Sequence, residues 1–329
     1  MKKKLDFEND TDIDELTLVT IFQKYSNEDS AREFVESLLW PDGPVCAHCG
    51  CTEVYRLTPK ATSEKPGRKG LLKCKKCRKQ FTVMVNTVFS DSHIPLSKWV
   101  IAIHLFCASK KGISAHQIHR MLNITIKSAW FLMHRIRHAV AESPTASKLT
   151  GVIECDEVYF GGKAKNMHAR KRRERISGHG HHDKTPVMTL VQRDGRIRST
   201  QLERVNESNL DSVLKAYVED TAHLMTDDSP HYKKIGPRFA SHEWVKHNRG
   251  EYVRENSHIN SAESVHAILK RAVHGVYHHW SVTHLHRYLS EFDFRFNNRK
   301  ISDGARTAEA IKSVAGKRLT YNPSCSEES

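Results

Sequence analysis

Two pairs of cysteines, Cys46-x2-Cys49 and Cys74-x2-Cys77, stand 24 residues apart. Four thiolates in two such knuckles can close a tetrahedron around a structural zinc ion. The spacer exceeds the usual separation of roughly 15–20 residues, so a hairpin extended by a loop over Thr58–Gly70 is expected. His48 and Cys51 are spare ligand candidates. Cys107, Cys155 and Cys325 read as small apolar fillers.

A second chemistry comes from acids in apolar surroundings. Asp156 lies within Val152-Ile153-Glu154-Cys155-Asp156-Glu157-Val158, where a carboxylate is costly unless it meets a cation. Asp227 ends the short apolar run His223-Leu224-Met225-Thr226, and Glu263 lies in the helical stretch Asn260–Val273. Lys270, seven residues from Glu263, shares its helix face. Hard divalent cations take oxygen ligands, and a pair of them can hold both oxygens of an in-line phosphoryl displacement. Glu154 shares a strand face with Asp156, and Asp228 adjoins Asp227, so spacing alone leaves the choice of acids open.

Charge points to a polyanion. The net charge is +14, and it is unevenly spread. Residues 1–40 carry 5 Lys/Arg against 10 Asp/Glu, whereas residues 41–140 carry 17 against 4. Nucleic acid is the partner such a block fits. Lys75, Lys76 and Arg78, around the second knuckle, would face phosphates. The stretch 163–184 holds 8 Lys/Arg against 2 Asp/Glu, including Arg172 and Arg173; it is expected to be a mobile DNA-contacting or solvated loop. His179, His181 and His182 belong to that loop. No run reaches the roughly 18 apolar residues of a membrane span. Reduced cysteines and the lack of a signal-peptide core place the chain in the cytoplasm, on the nucleoid.

Helices and strands must position these groups. Residues 16–39 read as one or two helices, with Ser30 as cap and Glu33 completing a capping box, stopped by Pro41-Asp42-Gly43-Pro44. Leu96–Glu142 fits a helix-turn-helix: Trp99, Ile103 and Phe106 inside, Ser114 capping a second helix with Ile118 and Leu122 inside, and Thr125 capping a third. In that third helix Ala129, Leu132, Met133 and Ile136 pack inward. Lys127, Ser128, Trp130, Phe131, His134 and Arg135 are left for a DNA groove. Beyond Ser143-Pro144-Thr145, strands are expected at 152–160, 186–192 and 197–205, with Asp194-Gly195 turning a hairpin. A helix at 208–219, the strand 223–226 and helices 260–273 and 283–296 follow. Three antiparallel strands and then alternating helix and strand is the order of an RNase H-like α/β core, a mixed five-stranded sheet with flanking helices. The expected division is a helical segment 1–45, a zinc ribbon 46–90, a helix-turn-helix region 91–145, a catalytic domain 146–312 and a tail 313–329.

The chain resembles the zinc-ribbon branch of bacterial insertion-sequence transposases, the ISXO2-like family, over nearly its whole length. Trp40–Cys46 and Cys74–Phe81 look like that family's ribbon. Glu154-x-Asp156-Glu157-x-Tyr159-x-Gly161-Gly162 looks like the motif of its first catalytic acid, and Thr226-Asp227 with Tyr232 like its second. His258-x-Asn260-x-x-Glu263 is the most specific match. It is followed by Leu269-Lys270-Arg271, Gly275, Tyr277-His278-His279 and the run His284–Arg299. Asn86 stands where the family pattern leads one to expect Gly, and Asn tolerates the same positive φ.

The resemblance implies a DDE triad of Asp156, Asp227 and Glu263 with Lys270 as basic companion, two catalytic Mg²⁺ (or Mn²⁺) ions and one structural zinc. It also implies double-stranded DNA as partner, both element ends and target, and a homodimer or larger assembly. The alternatives are a structure-directed RNase H-like nuclease or resolvase, and a transposon-derived zinc-ribbon and helix-turn-helix DNA-binding regulator without catalysis.

Overall fold

The computed structural model describes residues 11–58, 69–143, 146–162, 167–175, 184–246, 253–254 and 257–320. Most of the expected ribbon loop, His179, His181, His182 and Cys325 lie outside these residues. The chain divides into two compact units, Met1–Val140 with Asn298–Ser329, and Ala141–Asn297.

In the first unit, α1 (Thr11–Asp14) is a single turn, and α2 (Leu18–Tyr25) starts at a reciprocal Thr17–Thr20 cap. Helix α3 (Glu28–Leu39) starts at Asn27, whose side chain accepts from the Asp29 N–H. The cap expected at Ser30 is therefore corrected. Asn is an equally good cap, and starting at Glu28 puts two acids in the first turn, where the helix dipole favours them. Glu28 also accepts the N–H groups of Leu96 (2.8 Å) and Ser97 (3.1 Å), capping α4 (Leu96–Ala108), whose own cap position is Pro95. Between them runs a three-stranded antiparallel ribbon, β1 (Val54–Arg56), β2 (Leu72–Cys74) and β3 (Gln80–Phe81).

Helices α5 (Ala115–Leu122) and α6 (Ile126–Val140) carry the expected caps: Ser114 accepts from the Gln117 N–H and Thr125 from the Ser128 N–H. Asn123 turns the chain between them at φ 47°. Every residue assigned inward on α4, α5 and α6 is buried. Asn86 does adopt positive φ, 58°.

Helix α12 (Asp303–Lys312) packs on α4 in this same unit, with Ala308, Ala310 and Ile311 buried and Thr307 3.0 Å from His104 Nδ1. The expected domain 146–312 is corrected accordingly. The sheet-bearing unit ends at Asn297, because the apolar face of α12 is buried in the helical unit.

The second unit is a mixed sheet in the order β6-β5-β4-β7-β8. Strands β4 (Val152–Phe160), β5 (Thr185–Gln192) and β6 (Ile197–Gln201) are antiparallel, and β7 (His223–Asp227) and β8 (Ser241–Val245) continue parallel to β4. The Asp194-Gly195 turn is present, with Asp194 at φ 57°.

Three expectations change here. The third strand stops at Gln201 rather than Val205. The fifth strand, β8, mixes His, Glu and Trp with one buried valine, which hid its period. Within the basic stretch expected to be a loop, Ala169–Arg175 forms a helix, α7. Arg, Lys and Glu are good helix formers, and Arg170 pairs with Glu174 one turn on, at 3.1 Å.

Alternation along the strands sends Ile153 and Cys155 to one face, with Met188, Leu190 and Leu224, under α8 (Glu207–Tyr217) and α9 (Pro230–Ile235). Val158, Phe160, Val187 and Val191 face the other way, under α10 (Asn260–Ala272) and α11 (Leu285–Asn297).

Candidate active site and metal centre

The four knuckle cysteines converge. Cys46 Sγ lies 3.7 Å from Cys77 Sγ, Cys49 Sγ lies 3.6 Å from Cys74 Sγ, and all four sulfurs are within 4.8 Å of one another. A zinc–sulfur bond of about 2.3 Å in a tetrahedron requires sulfurs about 3.8 Å apart. The donor set therefore fits zinc, and it is far too open for disulfides. The Cys77 N–H donates to Cys74 Sγ (3.4 Å) and holds that thiol down to about 6, towards the thiolate a metal needs. His48 turns to the Gln80 carbonyl (3.4 Å), and Cys51 accepts from the Glu53 N–H (3.3 Å), so both spare candidates have other tasks. Lys75, Lys76 and Arg78 are exposed beside the second knuckle.

Asp156, in the middle of the central strand β4, lies level with Asp227 at the end of β7. The parallel register pairs Ile153 with Leu224 and Glu154 with Met225. Two residues further on each strand stand Asp156 and Asp227, which side-chain alternation puts on the same face. That face is the one α10 covers, and Glu263 lies in the first turn of α10.

Helix α10 has no cap of its own. Glu154, fully buried, supplies one from the sheet: its carboxylate accepts the N–H groups of Ser261 (2.7 Å) and Ala262 (3.2 Å) and the Ser261 hydroxyl (3.1 Å). Arg193 Nε donates to the same carboxylate at 2.8 Å, and His258 Nδ1 stands 3.3 Å away. An anion at a helix N-terminus is stabilised by the free amides and the helix dipole together. One turn beyond Glu263, His266 Nδ1 lies 3.3 Å from Asp156 Oδ2. The strand and the helix are thus fastened at two points, Glu154 and Asp156 itself.

The three acids of β4 have separate surroundings. Glu154 is occupied by α10. Glu157 points to the opposite face, where the Tyr232 hydroxyl donates to it and also lies 3.0 Å from Cys155 Sγ. Burial drives the Glu157 carboxyl up to about 8; the tyrosine hydrogen bond opposes this, and the charges of Asp156 and Asp227 add to it. It is the acid of this strand least suited to hold a cation at neutral pH. Asp156 faces α10 with its side chain 20% exposed: Oδ1 accepts the Glu157 N–H at 2.9 Å and Oδ2 meets His266. Among the described residues, the cysteines form the only set of three or more donor atoms so mutually close. Asp156, Asp227 and Glu263 form no such set.

Sequence reasoning missed Glu154 as an anchor, and missed Arg193 and His266; His258 stood only within the motif of the resemblance, with no role given. The buried acid two residues before Asp156 was the available signal for the first. Lys270 is exposed two turns from Glu263, and Arg172, Arg173 and Lys127 are exposed. Arg135 is corrected, and His134 with it: both are buried. Arg135 donates to the Ser90 carbonyl and to the Leu319 carbonyl (3.1 Å) and lies over the rings of Trp99 and Phe131. The returning C-terminal segment covers the face that the helical period alone left open. Among the described residues, no helix is long and apolar enough to cross a membrane.

Comparison with known proteins gives two family matches, an ISXO2-like transposase domain over residues 148–297 and a transposase zinc-ribbon domain over residues 26–80. A curated relative, an uncharacterized protein in transposable element ISH50 of Halobacterium salinarum, is 26% identical over 279 residues. That match covers 82% of this chain and 91% of the relative. A chain of a simian T-cell lymphotropic virus intasome, solved in complex with PP2A regulatory subunit B56 gamma, is 14% identical with a TM-score of 0.25. The match covers 64% of this chain and 67% of that one.

Proposed function

From the premise that this chain belongs to the ISXO2-like insertion-sequence transposases with a zinc ribbon, we propose that it cuts the ends of its own mobile element and joins them to target DNA. The observation that carries the reading is the acid edge. Asp227 ends β7, and Asp156 stands level with it in the middle of the adjacent parallel strand β4, on the face covered by the helix that brings Glu263. The strand order, three antiparallel and two parallel, is that expected of an RNase H-like core.

The carboxylates of Asp156, Asp227 and Glu263 are hard oxygen donors that fit two Mg²⁺ or Mn²⁺ ions. Such ions, when bound, neutralise the attacking and leaving oxygens of an in-line phosphoryl displacement. The protein's own part is positional. Glu154 fixes the start of α10, and His266 steadies Asp156. Lys270 meets a DNA phosphate from the same helix face as Glu263. The ribbon, with Lys75, Lys76 and Arg78, and the α5–α6 pair, read as a helix-turn-helix with Lys127 exposed, hold the terminal inverted repeats. Arg172 and Arg173 of α7 meet backbone phosphates. Hydrolysis frees a 3′-OH, which attacks target DNA directly. An element has two ends, so a homodimer or larger assembly acts on them, at the nucleoid.

Asp156→Asn should abolish cleavage of a duplex carrying the element end while leaving end binding intact. Loss of both together, or cleavage that survives, would sink this division of labour. Binding with no cleavage by the wild type in Mg²⁺ or Mn²⁺ would return the DNA-binding regulator.

A further inference from the structure

Between α10 and α11 the chain departs from regular geometry. Val273–Tyr277 form a π-helical turn, and His278 follows at φ 59°, ψ −33°, a conformation unfavourable for a residue with a side chain. His274, His278 and His279 are exposed on this turn, and Val282 is 58% exposed. The exposed tip rests on a rigid base. Trp280, buried, stacks on Tyr288 with ring centroids 5.1 Å apart and meets Phe160 at 5.2 Å and Phe292 at 5.8 Å. The Tyr277 hydroxyl donates to buried Glu291 (2.6 Å), which also holds Arg295 at 2.6 Å. Strain held in place by an over-determined surround is the pattern of a functional site.

Charge says what it is for. From Ser264 to Ser290 there is no Asp or Glu, but there are two Arg, one Lys and six His. The donor atoms of the exposed histidines form no metal-sized cluster among the described residues. A rigid tip rich in N–H donors, beside exposed Lys270 and Arg271, is suited to phosphate oxygens.

Two routes place the tip relative to the acid edge. Along β4, Asp156 to Phe160 is four residues, about 13 Å at 3.3 Å per residue. Along α10, His266 to Ala272 is six residues, about 9 Å at 1.5 Å per residue, and the π turn carries the chain on from there. Phe160 touches Trp280 and His266 touches Asp156, so both routes lead from Asp156 to the base of the tip, and the strand sets the distance. On duplex DNA that distance is about four base pairs at 3.4 Å each.

We propose that the turn 273–282 is a DNA-backbone clamp, in which His278 and His279 grip a phosphate about four base pairs to one side of the bond being cut. This rests on the transposase reading and adds a contact that reading does not contain. The test is a cycle between protein and DNA. The probe is a duplex carrying the end of the element that encodes the chain, with single phosphates replaced in turn by neutral methylphosphonate. Full-length wild type, His278→Asn and His279→Ala are compared, Asn being chosen because it tolerates positive φ.

A neutral linkage about four base pairs from the cut should slow the wild type about tenfold, the worth of one hydrogen bond to a charged group. Each variant should be slowed about as much on the unmodified duplex, and little further by that linkage. Losses that multiply, or no sensitive linkage at that distance, overturn the clamp. Should one variant fold poorly, the other carries the cycle. Reading the same cycle as equilibrium binding separates failure of the clamp from failure of the transposase reading: if nothing is cut, the binding coupling still decides the clamp.

Discussion

On the function proposed above, the ribbon and the acid edge both hold cations, yet they are assembled in opposite ways. The sulfurs are placed by short backbone turns. The Gly50 N–H donates to the Cys46 carbonyl, the Cys46 N–H to the Cys51 carbonyl, and the Cys74 N–H to the Lys79 carbonyl. Around them the protein buries little beyond Leu72 and Phe81. The carboxylates come from three elements far apart in the chain, and a full apolar core on each sheet face holds them in place. One site therefore needs its metal in order to fold. The other, on the same reading, would be folded before any metal binds.

Zinc removal should break this symmetry most sharply. A structural zinc ion contributes about 10–16 kcal/mol of binding free energy to a domain of this kind. Chelation should therefore unfold the ribbon and leave the sheet standing. Hydrogen exchange would show amides of residues 46–81 losing protection while those of β4, β5 and β7 keep theirs. Exchange rising in both would mean that the sheet leans on the ribbon, and the contrast would fail.

A smaller effect probes the other side. Glu154→Ala leaves Arg193 without its buried partner and the first amides of α10 without an acceptor. Breaking a buried pair costs about 3–5 kcal/mol, and here the loss should appear as faster exchange over residues 261–272 with zinc content unchanged. Cleavage should fall with it, because Glu263 and His266 ride on that helix. If Glu154→Ala lowers activity without loosening α10, then Glu154 belongs among the acids that meet the reaction directly, and its role as an anchor is wrong.

The same contrast explains what could be read from the residues alone. Cys46, Cys49, Cys74 and Cys77 were legible because their spacing is their geometry. The caps at Ser114 and Thr125 and the turn at Asp194-Gly195 were legible because a few neighbouring residues decide them. Asp156 stood out as an acid in an apolar strand, but nothing local distinguished it from Glu154 or Glu157. Only the opposing helices show that one of these caps α10 and another meets Tyr232. Arg135 failed for a related reason. The helical period marks its side of α6 as free, and Leu319, which helps to cover it, lies 184 residues on. Strand β8 was invisible because an edge strand with one buried residue has almost no period to read.

The smallest expected effect separates the stability of the sheet unit from its acid edge. Asp293 of α11 accepts the Ser199 N–H and hydroxyl, both at 2.8 Å, and so ties that helix to β6, away from Asp156 and Asp227. Burial pushes its carboxyl up to about 7, with the Ser199 hydrogen bonds opposing. The folded state thus keeps a proton that the unfolded chain releases near 3.8. Its contribution to stability is complete below that value and is lost as pH rises through about 7. Urea midpoints of the sheet unit should then fall between about pH 5 and about pH 8.5, and Asp293→Asn should shrink that fall by about 1–3 kcal/mol. Glu157, raised to about 8, acts in the same direction, so the variant should flatten the profile without abolishing its slope. An unchanged slope in Asp293→Asn would mean that the native carboxylate is charged and held by Ser199 alone. The pH dependence of this unit would then belong to Glu157, beside the acids, and the two regions could not be titrated apart.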